Sequence, residues 1–248
     1  ATNVVDGIWV RKWKNREKRI VKSRCCGRGF LDRQTTTVSR HSSTASRLSH
    51  RLLCSLAMQF ELTLESFDIS TAFLQGLKFS EVVEKAKELG HEVKEARQVW
   101  FRPPANIWRH WRNIPQSKIM VLDGDIPIFI LKCLKALYGL VDAPLLWQLA
   151  LLHYLKLDIG YRMSTHDECF LMIIDGWQVI SLWIIHVDDL LLAATRKFLD
   201  FIAKKLGQKF GNPKRTSLPF LYLGMKHEML SPGHLLVHQQ HYLEKRPE

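Results

Sequence analysis

The chain has 248 residues, 46% of them apolar, which is enough for one substantial domain or two small ones around a real core. Its 36 Lys and Arg residues outnumber its 24 Asp and Glu residues, giving a formal charge of +12 that favours a polymer of phosphates as partner. The five scattered cysteines do not make a disulfide scaffold and point to a reducing compartment, and no run reaches the roughly 18–20 apolar residues of a membrane-spanning helix, so no transmembrane segment is expected.

Most of the charge lies at the start of the chain. Between Ala1 and Arg51 there are thirteen basic residues, Lys22, Arg24 and Arg28 among them, against the acids Asp6, Glu17 and Asp32. Such a field suits nucleic acid, although a basic solvated arm that touches RNA without chemistry has the same composition. Residues 34–46 are polar and read as an exposed connection. In the run Arg47 to Phe60, Leu48, Leu52, Leu56 and Phe60 recur at helical spacing, with Leu53 and Ala57 broadening the stripe, so a helix packed behind a sheet is expected. Residues 62–67 then read as a strand that ends at Asp68.

Residues Phe79 to Val99 predict a charged helix interrupted at Gly90, with Val82, Val83, Ala86 and Leu89 on its apolar side. Trp108, Arg109, Trp111 and Arg112 either stack on bases and meet a phosphate backbone or pack as a tryptophan cluster under a loop. A strand follows over Ile126 to Leu134, with Pro127 near its start. Leu145, Leu146, Leu149, Leu152 and Leu155 predict a helix introduced by Pro144. Residues 180–194 read as two buried strands reversing at Asp188-Asp189. Phe198, Leu199, Ile202, Ala203 and Leu206 form a helical stripe. Residues 220–225 read as a strand with Gly224 at a close-packed or bent position, and Leu235-Leu236-Val237 can pair with it after the turn Ser231-Pro232-Gly233.

Asp188-Asp189 carries the sharpest chemistry. Asp favours hairpin turns for local reasons alone, so a structural turn is one reading. If the strand before Asp68 lies beside the hairpin, however, three carboxylates converge at one sheet edge, and their repulsion is relieved by hard cations. Oxygen-only ligation suits two Mg²⁺ ions, with Mn²⁺ as a substitute, and two such ions support nucleotidyl transfer. No tight Cys/His ligand cluster is visible, which argues against zinc: Cys25 and Cys26 are adjacent, and His238 and His241 share only a short segment.

Six landmarks in order then carry a resemblance. They are Lys22 to Phe30, Phe67-Asp68 through Gly76, Leu134-Lys135-Ala136-Leu137-Tyr138-Gly139-Leu140, Ala143-Pro144 with Trp147, His186-Val187-Asp188-Asp189, and Tyr222-Leu223-Gly224-Met225. Over residues 8 to 245 the chain resembles the reverse transcriptase domain of Ty1/copia-type LTR retrotransposons. The resemblance implies an α+β fold of right-hand polymerase architecture. Its palm-like antiparallel sheet is backed by helices, a fingers-like part covers residues 1–51, the palm occupies most of 52–248 with an inserted segment near 79–125, and no ribonuclease H domain is present. It implies that Asp68 and Asp188 are the principal metal ligands with Asp189 as third acid. Lys22, Arg24 and Arg28 then grip a triphosphate, Phe73 acts as a gate against the 2′-hydroxyl, and Gly139, His186 and Gly224 lie near primer or template.

The implied activity is RNA-directed DNA polymerisation, with an RNA template, a DNA primer and deoxynucleoside triphosphates as partners. Four positions depart from the family pattern. Val141, Asp142 and Leu145 stand where polar or cationic groups are usual, and His186 replaces an aromatic residue. Asp142 adds repulsion if it faces the nucleotide. A catalytically inactive palm that binds RNA or serves as a structural subunit of a protein assembly is therefore the alternative. The expected compartment is cytoplasm or nucleus, with an organelle left open.

Overall fold

β-Branched and aromatic residues crowd the first segment, Val4–Asn15 (β1), which forms an antiparallel hairpin with Ile20–Gly27 (β2) in a computed structural model that describes residues 3–93, 97–107, 117–121 and 127–244. Helix α1 (Arg47–Gln59), strand β3 (Thr63–Asp68), helix α2 (Val82–Glu88) and strands β4 (Trp100–Arg102), β5 (Ser117–Val121) and β6 (Pro127–Lys132) follow. Next come helix α3 (Ala143–His153) and strands β7 (Arg162–Met163), β8 (Phe170–Asp175), β9 (Gln178–His186) and β10 (Asp189–Ala194). Helix α4 (Arg196–Phe210), strands β11 (Lys214–Ser217), β12 (Phe220–Tyr222), β13 (Met225–Ser231) and β14 (His234–His238), and the short helix α5 (Gln240–Leu243) complete the order. Trp108, Arg109, Trp111 and Arg112 lie outside the described residues.

The chain divides into two units, Ala1–Ser42 with Phe73–His153 and Ser43–Ala72 with Tyr154–Glu248. In the first unit β4 pairs in parallel with β1, which joins Trp100–Arg102 to the sheet of the N-terminal hairpin. The first unit is built on a five-stranded sheet in the order β2-β1-β4-β6-β5. Helix α3 belongs to it and is buried nearly all round, which its Leu-rich sequence allows.

The second unit is a six-stranded antiparallel sheet, β11-β3-β10-β9-β8-β7, with a separate three-stranded sheet β12-β13-β14. Alternate residues Leu64, Leu182, Ile184, Leu191 and Ala193 share a core with Leu53, Cys54 and Ala57 of α1. The intervening residues Phe67, Trp183, Ile185, Leu190 and Leu192 are buried on the other face, where α4 contributes Leu199, Ile202 and Leu206 beside β10. Burial on both faces explains why these strands read as unbroken apolar runs with no polar alternation.

Two expectations change here. Leu48 and Leu52 are 75% and 43% exposed, and the buried stripe of α1 is His50, Leu53, Cys54 and Ala57, whose smaller members let the helix approach the sheet. Residues 220–225 form no single strand. Tyr222 pairs with Met225, and Leu223 (φ 49°) with Gly224 (φ 74°) makes the two-residue turn between β12 and β13, the double positive φ that tight hairpins use.

Candidate functional site

The hairpin β9–β10 closes on the pair His186 and Asp189, leaving Val187 and Asp188 as a two-residue turn. Such turns need positive φ at the first central residue or at both, and Val187 has φ 59°. A β-branched side chain in that conformation costs on the order of 1–3 kcal/mol, so the surrounding structure must impose it. Part of the constraint is visible, since the Ile69 amide donates to the Asp188 carbonyl at 3.2 Å and ties the turn to the chain leaving Asp68.

Register then assembles the acids. Asp189 is the cross-strand partner of Asp68, with His186 on one side in the same row and Lys214 on the other. The row lies on the sheet face that carries Leu64, Ile184 and Leu191, at its end. Asp68, Asp188 and Asp189 are all half-buried. Burial pushes the Asp189 carboxyl above its ordinary pKa, the charges of Asp188 and Asp68 push it further, and His186 opposes them. Like charges directly opposed across strands cost roughly 0.2–1 kcal/mol, whereas each fully buried leucine returns about 1.5–3, so neighbouring Leu190 and Leu191 hold the strand in place despite the repulsion.

These carboxylates supply only hard oxygen donors, and their mutual repulsion is of the kind a divalent cation relieves, so the donor set fits Mg²⁺. Their ligand atoms are not drawn into one tight group. Among the described residues, the group whose ligand atoms all lie within 4.8 Å of one another is His50, Cys54 and His227. That corrects the expectation of no Cys/His cluster. The signal was weak because His227 is 177 residues from His50, and because the i, i+4 pair His50 and Cys54 sits on a face of α1 that periodicity had not assigned to the core.

In the first unit, Lys22, Arg24 and Arg28 are exposed. Lys22 stands across from Lys12, and Val10 from Arg24. The Arg24 guanidinium lies 5.1 Å from the centroid of the Tyr138 ring, and Phe73, on a 3₁₀ turn over Ala72–Gln75, tilts against the same ring at 5.7 Å. Phe73 is thus half-buried on an irregular turn. Gly139 has φ 98°, and a Cβ there would come within 2.0 Å of the Gly27 carbonyl, so its glycine is needed for the close approach of two backbones. The Gly27 amide donates to the Tyr138 carbonyl at 2.7 Å in that contact.

Asp142 does not add a free negative charge to a nucleotide pocket. It is 4% exposed and accepts from Arg97 Nη2 at 2.5 Å, while Arg97 Nη1 donates to Asp32. Burial raises the Asp142 carboxyl, with the Arg97 charge and hydrogen bond opposing it. Burial acts on Asp32 in the same direction, but hydrogen bonds from Arg97, Asn3 and the Gln34 amide together outweigh it and leave Asp32 below the ordinary range. Leu145 is likewise buried. Two of the four departures, Asp142 and Leu145, are therefore packed into the first unit. His186 is half-buried, and its Nδ1 is buried without a hydrogen-bond partner among the described residues.

No family model matches the sequence. The chain is similar to two Arabidopsis thaliana proteins, the retrovirus-related Pol polyproteins from transposons RE1 and RE2. It is 25% identical to the first over 224 residues and 23% identical to the second over 225, covering 90% of this chain in each case. It spans 13% of the length of each relative. Among solved structures, telomerase from Candida albicans in complex with a TWJ fragment of telomeric RNA superposes on 96% of this chain and 47% of that one, with a TM-score of 0.50 at 10% identity. The chain has an α+β fold distantly related to right-hand polymerases of the reverse transcriptase and telomerase type. Its sequence relationship is to the reverse transcriptase superfamily at a distance, through the retroviral-type Pol polyproteins.

Proposed function

We propose that the chain is an RNA-directed DNA polymerase domain of Ty1/copia type, joining a primer 3′-hydroxyl to the α-phosphorus of a deoxynucleoside triphosphate. The observation that carries this reading is the registration of Asp68 against Asp189 beside the strained Val187–Asp188 turn. In this reading Asp68 and Asp188 hold two Mg²⁺ ions, or Mn²⁺ in their place, with Asp189 as the supporting acid. Bound there, the ions would supply activation of the attacking oxygen and charge stabilisation at the leaving one. Lys22, Arg24 and Arg28 bind the triphosphate, where bidentate guanidinium contacts suit phosphate oxygens. Phe73 faces the sugar, held by Tyr138 on its other side. His186, in the same cross-strand row as Asp189 and Asp68, meets the primer end, and Gly224 and Gly139 lie in turns near primer and template.

A second reading is a palm that binds nucleic acid without catalysis, within a larger assembly. The burial of Asp142 and Leu145 favours it, because both side chains are taken up by packing and, for Asp142, by Arg97. Primer extension on an RNA template annealed to a DNA primer, with Mg²⁺ and Mn²⁺ tested separately, decides between them. Extension that disappears in Asp188→Asn/Asp189→Asn supports the polymerase. A folded protein that binds the duplex and extends nothing supports the second reading.

A further inference from the structure

The core between α1 and the β12–β14 sheet holds three polar side chains where hydrocarbon would be expected. His50 is 6% exposed, Cys54 7% and His227 0%. Their ligand atoms lie within 4.8 Å of one another, with His50 Nε2 2.8 Å from His227 Nε2 and 3.8 Å from Cys54 Sγ. Burying three such groups is costly unless they are satisfied, and apolar side chains would fill the space at less cost. Imidazole nitrogen and thiolate sulfur are the donors that zinc prefers.

The orientation of the rings is already that of ligands. His227 Nδ1 lies 3.1 Å from the Met225 carbonyl, which can only accept, so Nδ1 carries the proton and Nε2 presents its lone pair to the cluster. A backbone carbonyl fixing the far nitrogen is the usual outer support of a metal-bound histidine. Aromatic rings hold both imidazoles in plane: Tyr222 stacks on His50 at 6.0 Å and 16°, and Phe220 on His227 at 5.0 Å and 23°.

We propose that His50, Cys54 and His227 form a binding site for one zinc-class divalent ion, which staples the β12–β14 sheet to helix α1. The ion bonds to His227 Nε2, to His50 Nε2 after that ring moves its proton to Nδ1, and to Cys54 Sγ. The S–H bond breaks and its proton passes to solvent. The fourth corner of the tetrahedron is completed by a water or a small anion. This site shares no residue with the carboxylate row, and it stands whether or not the chain polymerises.

The test uses the full chain stripped by a chelator, then titrated with Zn²⁺ against a chromophoric competitor and, separately, with Co²⁺. Expected are one ion per folded chain, a thiolate-to-cobalt charge-transfer band, and a rise in the thermal midpoint on adding Zn²⁺. Cys54→Ser should remove the band and weaken Zn²⁺ binding by at least tenfold, while Cys169→Ser, at a buried cysteine outside the cluster, should keep both. An oxygen-only site at the aspartates gives no thiolate band, so binding there is separable from binding here. If Cys54→Ser fails to fold, the wild-type spectrum and His227→Gln carry the test. A folded wild-type chain that takes up no stoichiometric Zn²⁺ and shows no cobalt band overturns the proposal, as does a band that persists in Cys54→Ser.

Discussion

Asp189 faces Asp68 across the β3–β10 ladder, so two carboxylates oppose each other at a position where sheets ordinarily pair opposite charges or apolar groups. Burial and the neighbouring charges of Asp188 and Asp68 already hold the Asp189 carboxyl above its ordinary pKa. Asp189→Asn should therefore stabilise the metal-free protein, by about 0.5–1 kcal/mol in urea denaturation, while reducing any metal-dependent extension. Mg²⁺ should raise the wild-type midpoint more than that of the variant. A variant less stable than wild type in the absence of divalent ions would mean that Asp189 makes favourable contacts that outweigh the repulsion.

Val187 supplies a second case of stability given up at the same turn. Its φ of 59° suits Asn far better than a β-branched residue. Val187→Asn should raise unfolding free energy by about 0.5–1 kcal/mol, part of the strain being offset by lost apolar contact. Equilibrium denaturation measures this directly. A clear loss of stability would show that packing of the valine side chain dominates the backbone term.

Arg97 neutralises two buried acids at once, and its Nε has no hydrogen-bond partner among the described residues. Arg97→Met should cost about 3–5 kcal/mol, because Asp32 and Asp142 then remain buried without a cation. Asp142→Asn should cost much less, about 1 kcal/mol, since the amide oxygen still accepts from Arg97 and the burial penalty on the carboxylate is removed. Similar losses in the two variants would contradict a network centred on the arginine.

Much of the second unit was legible because its cues are local or come in pairs. The apolar arms around Asp188-Asp189 have the length and residue types of buried strands, and Thr63–Asp68 ends at an acid just as the register requires. The face of α1 was legible only in part. Leu53 and Ala57 are buried and Leu56 packs against the same core, but Leu48, Leu52 and Phe60 are exposed, and the sheet takes the side with His50 and Cys54, a choice made by steric fit that hydropathy does not encode. The same error hid the His50, Cys54 and His227 cluster. Lys214 was missed because only long-range pairing of β11 with β3 brings it opposite Asp68. Asp142 read as a lesion in a nucleotide pocket because its partner Arg97 is 45 residues away and carries no motif.

Asp167 fastens the start of α1, and its ionisation sets a pH dependence. Its carboxylate accepts from the Ser46 amide at 2.8 Å, the Cys169 amide at 2.9 Å and the Ser49 hydroxyl, while Ser46 Oγ caps the helix by accepting from the Ser49 amide at 3.0 Å. Burial alone would raise this carboxyl; the hydrogen bonds from Ser46, Ser49 and Cys169 together outweigh it and hold the pKa below the ordinary value. A carboxyl depressed in the folded state contributes stability that is fully present above its unfolded pKa, about 3.9, and is lost as pH falls through the lower folded value. Asp167→Asn should then cost about 1–2 kcal/mol near neutral pH, a range taken from capping and charge-assisted hydrogen bonds and kept modest by solvent screening at a half-exposed group. The gap between wild type and variant should narrow as the pH is lowered below about 4, where the wild-type carboxylate is itself protonated. Thermal or urea unfolding of both proteins across that range measures the gap. A difference that stays constant down to the acid limit would assign the effect of Asp167 to its shape and its neutral hydrogen bonding, with no contribution from charge.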